Sequence, residues 1–120
     1  MSSVAISVAA GGQDLSSPMD ERFGRAAGFL VVDASTGEVL ESLGNSASSA
    51  AHGAGTGAAA LMRDHGVTAV ISGRFGPKAH AALSGMGIGA WVAPAGVTAG
   101  EALKRFQQGE LELMQLRVMR

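Results

Sequence analysis

Three glycine-rich turns hold most of the side chains in this sequence that could do chemistry. Two of them, Glu21-Arg22-Phe23-Gly24-Arg25 and Gly73-Arg74-Phe75-Gly76-Pro77-Lys78, combine cations with glycines. The third, residues 46–57, delivers His52 to a predicted helix start at Ala54 or Gly55. Arginine gives charge-assisted hydrogen bonds to anions. Helix starts add unpaired N–H groups and a positive dipole end. If the turns meet at one end of an α/β domain, Arg22, Arg25, Arg74, Lys78 and His52 surround a cationic pocket for a polyanion. Around Gly53, Ala54, Gly55, Gly73 and Gly76 the backbone can then come close to that ligand.

Other chemistries fit less well. The chain has no cysteine, which removes disulfides, zinc–thiolate sites, cysteine-ligated iron–sulfur clusters and thiol catalysis. His52, His65 and His80 lack metal-motif spacing. A metal-ligand role falls on His52, whose plainer role is a loop or cap residue. His65 is expected at a helix C-terminus, serving the dipole, and His80 on a helix surface. No Gly-Lys-Ser/Thr follows Gly53, Gly55 and Gly57, so a nucleotide-type phosphate loop is disfavoured. Asp14, Asp20, Glu21 and Asp33 invite a carboxylate–metal nuclease, but the predicted first and fourth strands carry no acid. Ser72 follows no nucleophile-elbow pattern. The chain is expected not to be an enzyme. For Arg22 and Arg25 the plain alternative is solvated surface charge.

The elements that would position these turns can be read from local signals. Val4, Ile6 and Val8 alternate as a strand over about 3–9. Residues 10–18 form a turn-rich stretch, poor in anchors and expected to be mobile. Strands at 28–33 and 38–43 make a hairpin about Ser35-Thr36-Gly37. Ala58, Leu61, Met62 and His65 share a helical face that Gly66 ends. A doubly covered strand follows at 68–72. Pro77 opens a second helix with Ala79, Ala82, Leu83 and Met86 facing inward. After a strand at 89–93, Thr98 and Glu101 have capping-box spacing. Ala99, Ala102, Leu103 and Phe106 then face the core until Gly109.

The order is β-β-β-α-β-α-β-α in one domain, residues 1–120, with the 110–120 tail unassigned. Apolar residues make up 47% of the chain and aromatics 4%, so thin, alanine-rich helices should lie close to the sheet. A formal charge of −1 gives no reason to expect nucleic acid or an acidic membrane. No signal peptide or membrane span is evident; the expected location is cytoplasmic.

Taken together, Val4-Ala-Ile-Ser-Val, Arg22-Phe-Gly-Arg-Ala, Phe29-Leu-Val-Val-Asp, His52-Gly-Ala-Gly, Val70-Ile-Ser-Gly-Arg-Phe-Gly-Pro-Lys-Ala and Gly87-Ile-Gly-Ala resemble the dinitrogenase iron–molybdenum cofactor biosynthesis family. The resemblance runs from about Val4 to Leu111. It implies a ribonuclease-H-like α/β fold with a five-stranded mixed sheet and helices on both faces. It also implies binding or carriage of metal–sulfur clusters or their precursors, including molybdenum- or iron-containing ones, without catalytic turnover. Cofactor-assembly proteins or ATPases are the protein partners it implies. The lack of cysteine makes the chain most like small members that hold a molybdenum–copper sulfide cluster non-covalently. Where many relatives have His-Phe-Gly, this chain has Arg22-Phe23-Gly24, which suits outer-sphere anion binding better than metal ligation. A phosphate- or nucleotide-binding regulatory module and a pure protein-interaction domain are the alternatives.

Overall fold

The computed structural model describes residues 2–9, 12, 14–45 and 53–114. It contains strands β1 (Ser3–Val8), β2 (Gly28–Asp33), β3 (Val39–Gly44), β4 (Ala69–Ser72), β5 (Gly89–Val92) and β6 (Glu112–Leu113). The helices are α1 (Ala54–Asp64), α2 (Pro77–Gly85) and α3 (Ala99–Gln107). One mixed sheet has the order β3-β2-β1-β4-β5-β6. The parallel pairs are β1/β4 and β4/β5, and the remaining neighbours are antiparallel.

The sheet has six strands where five were expected. The extra strand comes from the tail, where Leu113 pairs with Trp91 and Glu112 with Val92. Two residues of pairing leave too little periodicity to be legible in sequence.

Both sheet faces are covered, which explains why β1 and β2 are apolar or small along nearly their whole length. On one face Ala5, Phe29, Val31 and Val70 pack under α1 and α2 through Ala58, Met62, Ala79 and Leu83. On the other, Ile6, Leu30, Val32 and Ile71 pack under α3 through Ala99, Ala102 and Leu103. Alanines at these contacts bring the helices close to the sheet. Truncating a filled position such as Leu83 to alanine should cost about 2–5 kcal/mol.

Local signals set the helix ends. Pro77 opens α2, and Thr98 and Glu101 form the reciprocal capping box of α3 at 3.1 Å each way. Gly66 and Gly109, at φ 68 and φ 72, follow the last turns of α1 and α3 in the left-handed region that favours glycine. Among the described residues no helix is long and apolar enough to cross a membrane.

Two expectations are corrected. His80 is buried, with Nε2 2.9 Å from the Met114 carbonyl, because the chain leading out of β6 folds against α2. Residues 14–20 are not poor in anchors, while residues 10, 11 and 13 of the same stretch lie outside the described residues. Met19 bridges to Val8 and Pro18 to Thr98. The Ala99 and Gly100 amides donate to the Ser17 and Leu15 carbonyls, both at 2.8 Å.

Candidate functional site

The site is built beyond the carboxyl ends of the parallel neighbours β1 and β4, where the chain leaving β4 enters α2 and the start of α1 lies against the turn carrying Gly24. Past β4, Arg74 forms a parallel bridge with Arg22. Its amide donates to the Glu21 carbonyl at 2.7 Å, and its carbonyl accepts from the Phe23 amide at 3.1 Å. The Ser72 hydroxyl lies 3.3 Å from the Asp20 carbonyl and 3.4 Å from that of Glu21. Ser72 is thus a strut between the turns.

Glycine makes this junction possible. A Cβ on Gly73 would stand 2.8 Å from the Glu21 Cα. On Gly24 it would stand 2.8 Å from the Gly55 Cα, and on Gly55 2.7 Å from the Ala79 Cβ. These glycines let the turns and helix starts touch each other. Gly76 differs, since a Cβ there meets nothing within 4 Å.

The junction encloses an open cleft of about 560 Å³. Arg22, Arg25, Arg74 and Lys78 line it and are exposed. Phe23 and Phe75 stack behind this lining with ring centroids 5.1 Å apart, Phe23 fully buried and Phe75 6% exposed. Gly24, Ala54, Gly55, Gly76, Pro77 and Ala79 complete the lining. Neither Gly53 nor Gly76, the residues preceding α1 and α2, gives a side-chain cap. The contrast with α3, capped by Thr98 and by the backbone of residues 15–17, is direct.

The cations are not neutralised by a well-formed partner at Arg22. Its Nε lies 3.9 Å from Asp20 Oδ1, an oxygen that already accepts from the Arg22 amide at 2.9 Å. Arg22 and Arg74 occupy bridged positions, where like charges repel.

Of the residues expected at the site, Arg22, Phe23, Gly24, Arg25, Ala54, Gly55, Arg74, Phe75, Gly76 and Lys78 line one cleft. Gly53 immediately precedes α1, and Gly73 acts from behind through its contact with Glu21. His52 lies outside the described residues. Pro77 and Ala79 also line the cleft, and both could have been found from their place in the first turn of α2. His65 lies elsewhere, with Nδ1 3.1 Å from Glu41 Oε2. Asn45 was not anticipated. Its side chain reaches the turn that carries Arg25, and no local pattern marks it.

Among the described residues no group of three or more His, Asp or Glu could hold a metal ion. Asp14, Asp33 and Glu101 are held below the usual carboxylate range by hydrogen bonds, chiefly from the Ser16 side chain, the Thr36 amide and the Thr98 amide. All are turn or cap acids, and none lines the cleft.

The family model described as dinitrogenase iron-molybdenum cofactor matches residues 4–109. The chain belongs to that family. The apo form of the orange protein from Desulfovibrio gigas is 36% identical and superposes with a TM-score of 0.87, over 95% of this chain and 93% of that one. A putative NifB protein from Thermotoga is 32% identical with a TM-score of 0.81, over 99% and 98% of the two chains. An uncharacterized protein of Methanocaldococcus jannaschii is 34% identical over 96 residues, spanning 78% of this chain and 80% of its own.

Proposed function

We propose that this chain is a non-enzymatic carrier of an anionic metal–sulfide cluster, molybdenum-containing and in its simplest form a molybdenum–copper sulfide, held in the Arg22–Arg74 cleft. One observation carries this proposal. Among the described residues, four cationic side chains and two helix starts preceded by glycines that give no side-chain cap surround a single cleft. Family membership and the likeness to the orange protein support it.

The donor set suits such a cargo. A thiometallate presents sulfides outward and carries net negative charge, so protein N–H donors and cations can hold it without a thiolate. Its large, polarisable surface is weakly hydrated and suits the apolar part of the lining, Gly55, Pro77 and the exposed edge of Phe75. Phosphate is small and strongly hydrated, and rings offer it no compensating hydrogen bonds. The amides opening α1 and α2 would donate to sulfide, while Arg22, Arg25, Arg74 and Lys78 would balance charge. Carriage needs release, and an exposed rim of cations can pass its anion to an acceptor. Assembly proteins or ATPases of the cytoplasm are the partners this role calls for.

The test is to mix metal-free protein with tetrathiomolybdate and copper, then measure bound metal and visible absorption after gel filtration at rising salt. Molybdenum should co-elute with charge-transfer bands. It should be shed progressively as ionic strength screens the cations, and thiol-alkylating reagents should have no effect. Molybdenum in the flow-through, with ATP or inorganic phosphate retained instead, would replace the carrier with a phosphate module. Retention of neither would favour an interaction domain.

A further inference from the structure

We infer that Asn45, a residue outside the cleft, is the positioning residue for Arg25. Asn45 follows β3 directly and is only 6% exposed. Its Nδ2 donates to the Gly24 carbonyl at 3.2 Å and the Ala26 carbonyl at 2.9 Å. Its backbone amide donates to the Ala27 carbonyl at 3.0 Å. The two side-chain acceptors flank Arg25, so one amide group clamps the peptide on either side of a cleft cation. An amide suits the task because its two N–H groups diverge from one nitrogen and can serve two carbonyls together.

The two arginines of this turn are thereby held by different devices. Arg22 is fixed by the backbone bridge to Arg74, which any side chains could form. Beyond the buried Phe23 ring the chain turns away from that bridge, and Asn45 closes the loop. Removing the amide leaves two carbonyls without these donors, and the peptide around Arg25 should open locally while the sheet stays folded. That Arg25 then acts on cargo rests on the carrier function proposed above. The clamp itself does not.

The experiment uses full-length Asn45→Leu, close in size but without donors, and Asn45→Ser in case leucine prevents folding. Limited trypsin digestion reads the clamp without any ligand. Cleavage after Arg25 should rise roughly tenfold, the change expected from about 1.4 kcal/mol of lost local stability, while cleavage after Arg63 and Arg105 stays at the wild-type rate. Retention of tetrathiomolybdate with copper should fall severalfold. That loss should vanish in an Arg25→Ala background and persist in an Arg74→Ala background. Uniformly faster cleavage at all three arginines, or none at Arg25, would overturn the inference. So would a retention loss undiminished in Arg25→Ala. If wild-type protein retains no thiomolybdate yet Arg25 cleavage rises selectively, the clamp stands and the cargo assignment falls.

Discussion

Replacing Gly76 by serine should stabilise the metal-free chain and weaken its hold on cargo at once. Gly76 precedes α2 with φ −68 and ψ 159, extended backbone that any residue adopts. A Cβ there meets nothing within 4 Å, so the substitution brings no strain. Fewer unfolded conformations contribute about 0.4–1 kcal/mol, and serine caps better than glycine by a few tenths. The sum is about 1 kcal/mol, or roughly 4 °C in melting temperature for a domain of this size. The new hydroxyl would accept from the Lys78 or Ala79 amide, one of the donors assigned to sulfide. Losing a charge-assisted hydrogen bond should lower affinity about tenfold. Gly76→Ala separates the effects, since alanine removes flexibility but caps poorly. Its stability should barely change and its loading should fall less. Thermal melts of the metal-free variants, with equilibrium dialysis against tetrathiomolybdate and copper, give both quantities. A stabilised serine variant that loads like wild type would refute the role of the α2 amides. A destabilised one would refute the open surroundings assigned to Gly76.

Arg22→Ala and Arg74→Ala should each lower loading about tenfold to hundredfold, with a combined loss smaller than the product because they face one anion; lysine should restore only part. Arg105→Ala on α3, outside the cleft, is the control. Gly55→Ala should destabilise by about 1–3 kcal/mol, measured from urea midpoints, because its Cβ would stand 2.7 Å from that of Ala79 and force α1 from α2. The Thr36 and Ser35 amides lower the Asp33 pKa in the folded state. That stabilisation is present above the unfolded-state value, near pH 4, and is lost as pH falls through the folded-state value. Urea midpoints followed from pH 5 to pH 2 should therefore drop less steeply in Asp33→Asn than in wild type.

Features that depend only on neighbours along the chain were legible before any fold was known. Pro77 at a helix start, Thr98 with Glu101 as a cap, and Gly66 and Gly109 as stops are short-range effects of ring closure, hydrogen bonding and left-handed backbone. Strand β2 was legible to the residue because its apolar run ends at the Asp33 turn. The cationic turns were visible as composition, and their nearness to helix starts as order along the chain. What joins them emerges only from the packed fold. The bridge of Arg22 to Arg74 runs through backbone groups that every residue possesses, so no side chain announces it. Gly24, Gly55 and Gly73 could have served a ligand or each other, and only the packed distances assign them to each other. The burial of His80 and the two-residue β6 depend on where the tail lands. Asn45 acts on a turn that strands β2 and β3 separate from it in sequence. Its role exists because antiparallel pairing brings the end of β3 back beside the start of β2, where three carbonyls of one turn need donors.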